Sequence, residues 1–301
     1  MSKVSVIIPN YNHAQFLPKR IESVINQTYG DIEVIILDDC STDNSQEIIE
    51  KYAANDNRIV KHYNTVNTGS PFKQWKKGIN LAKGEFVWIA ESDDYADVTL
   101  LGKLIAAMQQ NPDAGVAYCQ SNFVNANGVV VGNHLENLSV LHPTMWQSDF
   151  CMDGNEVLAR FMPIINVIPN VGAALFRRNL VKKIHWDNLF HYKLGGDRYF
   201  WIQVLNKEKL CFVAQSLNFF RVHPDTQRNQ YLHSITYLNE VKDNIKTICS
   251  LVKVSRVSKT KAIRQWLRYF RNSTQNQSKG KLMHYVKSFF IFTSLVTIYL
   301  K

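Results

Sequence analysis

The chain has 301 residues, 46% hydrophobic and 12% aromatic, which is enough apolar material for a sizeable core and too much for a disordered or low-complexity chain. Its net charge of +10 is unevenly spread: the 11 Lys and Arg from Lys253 to Lys301 face no Asp or Glu, whereas residues 1–252 carry 24 basic against 25 acidic residues. That balance excludes a basic nucleic-acid module ahead of the tail and leaves the tail alone seeking an anionic partner.

Five cysteines, Cys40, Cys119, Cys151, Cys211 and Cys249, are scattered without a C-x-x-C pair. An odd, unclustered set argues against a disulfide framework or a structural zinc site and fits a reducing cytoplasm. The chain opens MSKVSVIIPNYN and enters a strand at once, leaving no room for a signal peptide.

Val4 to Ile8 reads as a short apolar strand that Pro9-Asn10-Tyr11-Asn12 breaks. Leu17, Ile21, Val24 and Ile25 then recur at helical spacing on one face. Glu33 to Leu37 is a second strand ending at Asp38-Asp39, followed by turn residues and a helix carrying Ile48, Ile49 and Tyr52. Arg58 to Tyr63 is a third strand, and Ser70-Pro71 opens a helix that runs to Ala82. Phe86 to Ala90 is a buried strand that stops at Glu91-Ser92-Asp93-Asp94. Strands alternating with helices at this spacing predict a parallel sheet of right-handed βαβ units, which puts the three polar strand ends on one edge.

A helix is expected from Thr99 to about Gln110, then strands at Val116–Gln120 and Val129–Val131 around the turn Asn125-Ala126-Asn127-Gly128, so this half is mixed rather than purely parallel. Residues 133–170 give no clear pattern beyond a loop-rich segment with an apolar underside. Gly172 to Arg177 is a strand, a helix begins near Asp197, and Leu210–Ala214 and Leu217–Val222 are two further strands ending near Arg221 and His223.

The acids from Glu91 to Asp94 have two readings, a helix N-cap or a ligand set for a hard cation and a diphosphate. Asp197, too, is either a cap at a helix dipole or a group that meets a ligand across Gly195-Gly196. No G-x-G-x-x-G follows the first strand and no G-x-x-x-x-G-K-[ST] occurs, which argues against dinucleotide and P-loop sites.

The set VSVIIPNYN, VIILDDCSTDNS, GEFVWIAESDDYAD, GGDRYFW and FFRVHPDTQ, in this order, resembles the family 2 glycosyltransferases over roughly residues 3 to 230. The resemblance implies an α/β protein of the GT-A (nucleotide-diphospho-sugar transferase) fold, with a mixed, mostly parallel sheet flanked by helices. It also implies a nucleotide-sugar donor, with UDP favoured, a divalent metal (Mn²⁺ or Mg²⁺), and hexosyl transfer with inversion. Carried over by residue, Pro9, Tyr11, Asp38 and Asp39, with Asn12 in the same cluster, match the nucleobase and ribose region. Asp93 and Asp94 match the acids of which one contacts ribose and one holds the metal. Asp197 matches the catalytic base, and Arg221 and His223 match a loop that closes near the diphosphate. The rival readings are a nucleotidyltransferase and a non-catalytic, membrane-associated partner of the same fold.

The expected domains are 1–230 for transfer and 231–301 for a helical basic tail. Ser288 to Leu300 is uncharged, but as a helix it spans only about 20 Å at 1.5 Å per residue, short of the roughly 30 Å hydrocarbon core. An interfacial helix with a basic collar is expected, or else a helix packed on the domain with its basic face in solvent. The first option places the enzyme peripherally at the cytoplasmic face of a membrane, acting on a glycan or lipid-linked saccharide acceptor in cell-envelope polysaccharide synthesis, with no nucleic-acid partner.

Overall fold

A computed structural model describes residues 3–222, 232, 234–275 and 281–300. Its sheet starts with β1 (Val4–Asn10), β2 (Ile32–Asp38), β3 (Ile59–Tyr63) and β4 (Phe86–Ile89), which are parallel and lie in the spatial order β3-β2-β1-β4. Asn10 pairs in register with Asp38, and the Ala90 N–H after β4 donates to the carbonyl of Ile7 at 2.8 Å. The polar strand ends therefore share one edge, where open α/β sheets place ligands.

The second half is mixed. β5 (Tyr95–Ala96), β6 (Ala114–Val124), β7 (Val130–Asn133), β8 (Phe150–Asp153), β9 (Ala174–Arg177) and β10 (Lys209–Arg221) complete the sheet. β9 runs antiparallel between β4 and β6, β10 is parallel to β6, and β5 is antiparallel to β10. The two strands expected over 210–222 are one strand, β10, with register shifts against β6 between Val213 and Ser216 and between Ser216 and Asn218. Those irregularities break the alternation that would have joined them in sequence.

Periodicity explains the helices that cover this sheet. α1 (Leu17–Ile25) buries Leu17, Ile21 and Val24, α2 (Ser45–Asn55) buries Ile49, and α3 (Pro71–Leu81) buries Phe72, Trp75 and Ile79. α4 (Leu100–Gln110) buries Leu100, Leu101, Leu104, Ile105 and Met108. Trp88 of β4 is wholly buried, and its indole N–H donates to the Gly172 carbonyl at 2.8 Å, so a large apolar group enters the core without an orphaned donor. Gly84 is required before β4: a Cβ there would lie 2.7 Å from the backbone nitrogen of Ser5.

The segment without a clear pattern contains α5 (Leu135–Leu138), a 3-10 turn at Met145–Gln147, β8 and α6 (Gly154–Arg160). Asp153 caps α6 by accepting the Glu156 N–H at 3.0 Å. The expectation from the scattered cysteines is corrected here: Cys151 and Cys211, 60 residues apart, form a disulfide. β8 pairs with β10, and that pairing brings the two side chains together although no sequence spacing announces it. Cys40, Cys119 and Cys249 are free thiols.

Contacts divide the chain into two compact units, Met1–Cys151 with Ile168–Trp186 and Lys209–Val222, and Met152–Val167 with Asp187–Glu208 and His223–Lys301. The first carries the strands, save the last two residues of β8. The second holds α6, most of α7 (Trp186–Leu189), α8 (Gly196–Leu205), α9 (Ile235–Leu251), α10 (Arg256–Gln275) and α11 (Lys281–Leu300). Nearly every residue of α8 is buried, not one face alone. α9 packs on α8, on α6 and on both later helices. Trp266 of α10 is buried, lies 5.8 Å from the Phe292 ring and donates its N–H to Leu238 at 3.2 Å. The tail is thus helical as expected, and its first helix shares a core with the helix that bears Asp197. Among the described residues no helix is long and apolar enough to cross a membrane.

Candidate active site

The end of β1 is knitted to the turn after β2. Asn10 donates to Asp38 at 2.9 Å and to the Ser41 hydroxyl at 3.2 Å, while the other Asp38 oxygen accepts the Ser41 N–H at 3.0 Å. Asn12 adopts φ 53°, the left-handed region that Asn tolerates, and its side-chain oxygen accepts the Thr42 N–H at 2.7 Å. Asp38 is 1% exposed, so its carboxylate works as a latch inside the turn and not as a surface. Tyr11 is 43% exposed, leaving its ring accessible at the sheet edge beside the half-buried Pro9.

Asp39 is the other acid of the pair. Its carboxylate accepts the Asn64 amide at 2.7 Å, the Thr68 N–H at 3.0 Å and the Thr68 hydroxyl at 2.7 Å, and Lys77 donates to the Asn64 oxygen at 2.5 Å. Each carboxylate oxygen offers two lone pairs. This chain of donors fixes the direction of a carboxylate that is 4% exposed.

The acidic end of β4 is organised by buried partners. Asp94 is 1% exposed; one oxygen accepts the Asn170 amide at 2.6 Å and the other the Arg221 N–H at 2.7 Å. Asn170 also accepts from Asn218 at 2.9 Å, and Asn218 donates to Ser121 at 2.9 Å. Burial, and then the neighbouring charge of Asp93, hold the Asp94 carboxyl above the usual range. Arg20 of α1, wholly buried, donates to the Glu91 carbonyl at 2.8 Å. Burial lowers its pKa to about 10 against the opposing pull of Asp94, Asp93 and Glu91. Asp93 and Glu91 are half-buried.

A hard divalent cation fits the acids that remain accessible. Among the described residues no three His, Cys, Asp or Glu converge as a ready metal cage. Mg²⁺ and Mn²⁺ do not need one when one or two carboxylates and substrate phosphates complete their shell. Asp93, half-buried, suits that role better than Asp94, which is 1% exposed.

Arg221, expected near a diphosphate, is turned inward. It donates to the carbonyls of Asp93 at 2.7 Å, Asn125 at 2.9 Å and Ala126 at 2.6 Å, and its guanidinium lies 4.6 Å from the Phe16 ring centre. It ties the acidic loop to the β6–β7 turn because β10 continues through Arg221 itself. His223 lies outside the described residues.

In the second unit Asp197 occupies the first turn of α8, half-buried. Its carboxylate accepts the Arg198 N–H at 2.6 Å and the Asn166 amide at 3.2 Å. Arg20, Asn64, Asn166, Asn170 and Glu240 escaped the sequence reading. Arg20 alone left a signal, a charge three residues from Leu17 and four from Val24 on the buried face of α1.

A family model described as Glycosyl transferase family 2 matches residues 5–184. The chain is 28% identical over 233 residues to the glycosyltransferase GlyG of Streptococcus pneumoniae, covering 72% of this chain and 70% of that one. It is 26% identical over 227 residues to the GalNAc(5)-diNAcBac-PP-undecaprenol beta-1,3-glucosyltransferase of Campylobacter jejuni, covering 74% and 65%. Among solved structures, Staphylococcus aureus TarS in complex with UDP-GlcNAc superposes with a TM-score of 0.74 at 18% identity, over 98% of this chain and 81% of that one. That likeness shows a shared fold.

Proposed function

The chain belongs to glycosyl transferase family 2 and is a glycosyltransferase of the GT-A fold, and on that premise we propose that its donor is a UDP-sugar and its acceptor a hydroxyl of a lipid-linked or polymeric cell-envelope glycan. Family membership favours transfer over the nucleotidyltransferase reading. The observation that carries the donor site is the single sheet edge on which the ends of β1, β2 and β4 present Tyr11, Asp39 and Asp93. The UDP-GlcNAc bound to TarS supports uridine, and the undecaprenol-linked substrate in the Campylobacter relative's name supports a lipid-linked acceptor.

In this reading the Tyr11 ring, with Pro9 beside it, stacks on the base, as every nucleobase has a face an aromatic ring can cover. Asp39 accepts from the base or ribose, aimed by Asn64 and Thr68. Asn12 and Asp38 hold the turn that presents them. Asp93 meets the ribose and would hold the divalent ion; Arg221, bonded to the Asp93 carbonyl and to Asp94, fixes the loop that carries it. The bound ion supplies Lewis-acid stabilisation of the departing diphosphate.

Asp197 acts as the general base. A sugar hydroxyl is a weak nucleophile near neutral pH, and a carboxylate within hydrogen-bond reach accepts its proton as attack proceeds. Asn166 and the Arg198 N–H hold that carboxylate in one orientation. Attack opposite the leaving group, in a single displacement, inverts the anomeric centre.

Residues 1–230 carry the donor chemistry and 231–301 bring the enzyme to the cytoplasmic face of a membrane. Phe289 and Phe290 of α11 are exposed at 63% and 66%, in a segment with no acidic residue. Apolar rings flanked by cations suit an anionic lipid surface, where each Lys or Arg contributes about 1 kcal/mol. The test of the donor is nucleoside diphosphate release from UDP-, GDP- and dTDP-sugars with undecaprenol-linked saccharides, with and without Mn²⁺. Metal-dependent release of UDP is the expected result, and release of GDP or dTDP in its place overturns the donor assignment.

A further inference from the structure

The loop before Asp197 is held from the tail. Glu240 of α9, 7% exposed, accepts consecutive backbone donors: the N–H of Lys193 at 2.6 Å, of Leu194 at 3.0 Å and of Gly195 at 2.7 Å. One turn further on, Asn244, with no exposed surface, donates to the Gly195 carbonyl at 3.0 Å. Residues four apart stand on one helix face. Both polar groups of Gly195 are thereby bonded to α9, and a Cβ on Gly195 would come within 3.2 Å of the Asn244 amide nitrogen. Glycine at this position lets the helix approach.

Two further features fix this arrangement. Ser234 caps α9 by accepting the Tyr237 N–H at 3.1 Å, and Trp266 bonds to it from α10, so the helix carrying the clamp is itself anchored. Glu240 also meets the chain at the N-terminal end of α8, where the helix dipole favours a negative charge. Gly195 is the residue that precedes α8, and Asp197 follows two positions later.

We propose that Glu240 and Asn244 are positioning residues for glycosyl transfer, fixing loop 193–195 and, through it, the carboxylate of Asp197. This rests on the reading of Asp197 as the base. A catalytic group displaced by about 1 Å loses about 100-fold in rate, and a clamp on the backbone two residues away controls displacements of that size. The first helix of the tail, α9, thus supports the loop before Asp197, and membrane attachment is left to the later helices.

The test is a pair of double-mutant cycles on the full chain, with kcat, donor KM and donor binding measured for Glu240→Gln, Asn244→Ala, Asp197→Asn and the combinations of the first and of the second with the third. Gln keeps the size of Glu but has one acceptor oxygen for N–H groups that now share two. Glu240→Gln is expected to lower kcat about 10- to 100-fold with donor KM and binding within about twofold, and Asn244→Ala to follow in the same direction by less. In the Asp197→Asn background Glu240→Gln is expected to add less than about twofold, since its effect runs through a base already removed. Native kcat in both clamp variants, or an equal loss in both backgrounds, overturns the inference. If Glu240→Gln does not bind donor like the native chain, Asn244→Ala, which deletes one bond, is read in its own cycle. Asp197→Asn at the native rate overturns the reading of the base itself, and that result is seen without any clamp variant.

Discussion

Asp197→Asn lowers kcat by about 10²- to 10⁴-fold, the usual contribution of a positioned general base, while donor KM stays within about twofold. Asn has nearly the shape of Asp and keeps an oxygen for the Arg198 N–H, so the first turn of α8 is retained. What it loses is the ability to take a proton from the acceptor hydroxyl. A loss in kcat without a matching rise in KM marks an interaction made in the transition state only. Steady-state kinetics with saturating acceptor check this; a variant that retains kcat leaves Asp197 as a helix-capping acid and nothing more.

Asp93→Asn and Asp94→Asn fail in different ways. Asp94 sits buried, where both oxygens accept N–H donors. An amide placed there turns an NH₂ toward the Asn170 amide or the Arg221 N–H and leaves a buried donor without an acceptor. Leaving a buried donor unsatisfied costs roughly 1–3 kcal/mol, so Asp94→Asn is expected to unfold at lower urea concentration. Asp93→Asn is expected to keep native stability and to lose roughly 100-fold or more in kcat/KM along with most Mn²⁺ affinity, because a metal supplies several kcal/mol of transition-state stabilisation. Urea unfolding and Mn²⁺ titration on both variants separate the two. Equal stability loss in both, with Mn²⁺ affinity unchanged in Asp93→Asn, contradicts the assignment.

Much of this arrangement was legible before the structure. The four parallel strands and α1 to α4 follow from periodicity, because each buries a face through local sequence alone. The polar strand ends were legible for the same reason, since a parallel sheet aligns them. The identity of Asp38 and Asp39 as a pair was plain, but not their division of labour: neighbouring residues at a strand end take different environments, one closed under Asn10 and Ser41, the other aimed by Asn64 and Thr68.

What sequence did not show depends on contacts between distant segments. Glu240 looks like any acid on a helix until loop 193–195 is laid against it, 45 residues away. Arg221 reads as a loop cation because β10 seemed to end near it; the strand carries it inward to Phe16 and to carbonyls 96 and 95 residues earlier. The Cys151–Cys211 bridge depends on the β8–β10 pairing. The acidic loop shows both cases at once: its presence was visible, but the buried network of Asn170, Asn218 and Ser121 that sets Asp94 apart from Asp93 was not.

The most direct measurement of the central claim is the anomeric configuration of the first product formed from an α-linked UDP-sugar, read by NMR before any secondary hydrolysis. A single displacement with Asp197 as base gives a β-linked product. An α-linked product requires a second displacement or a front-face path, and it contradicts the single displacement assigned to this site.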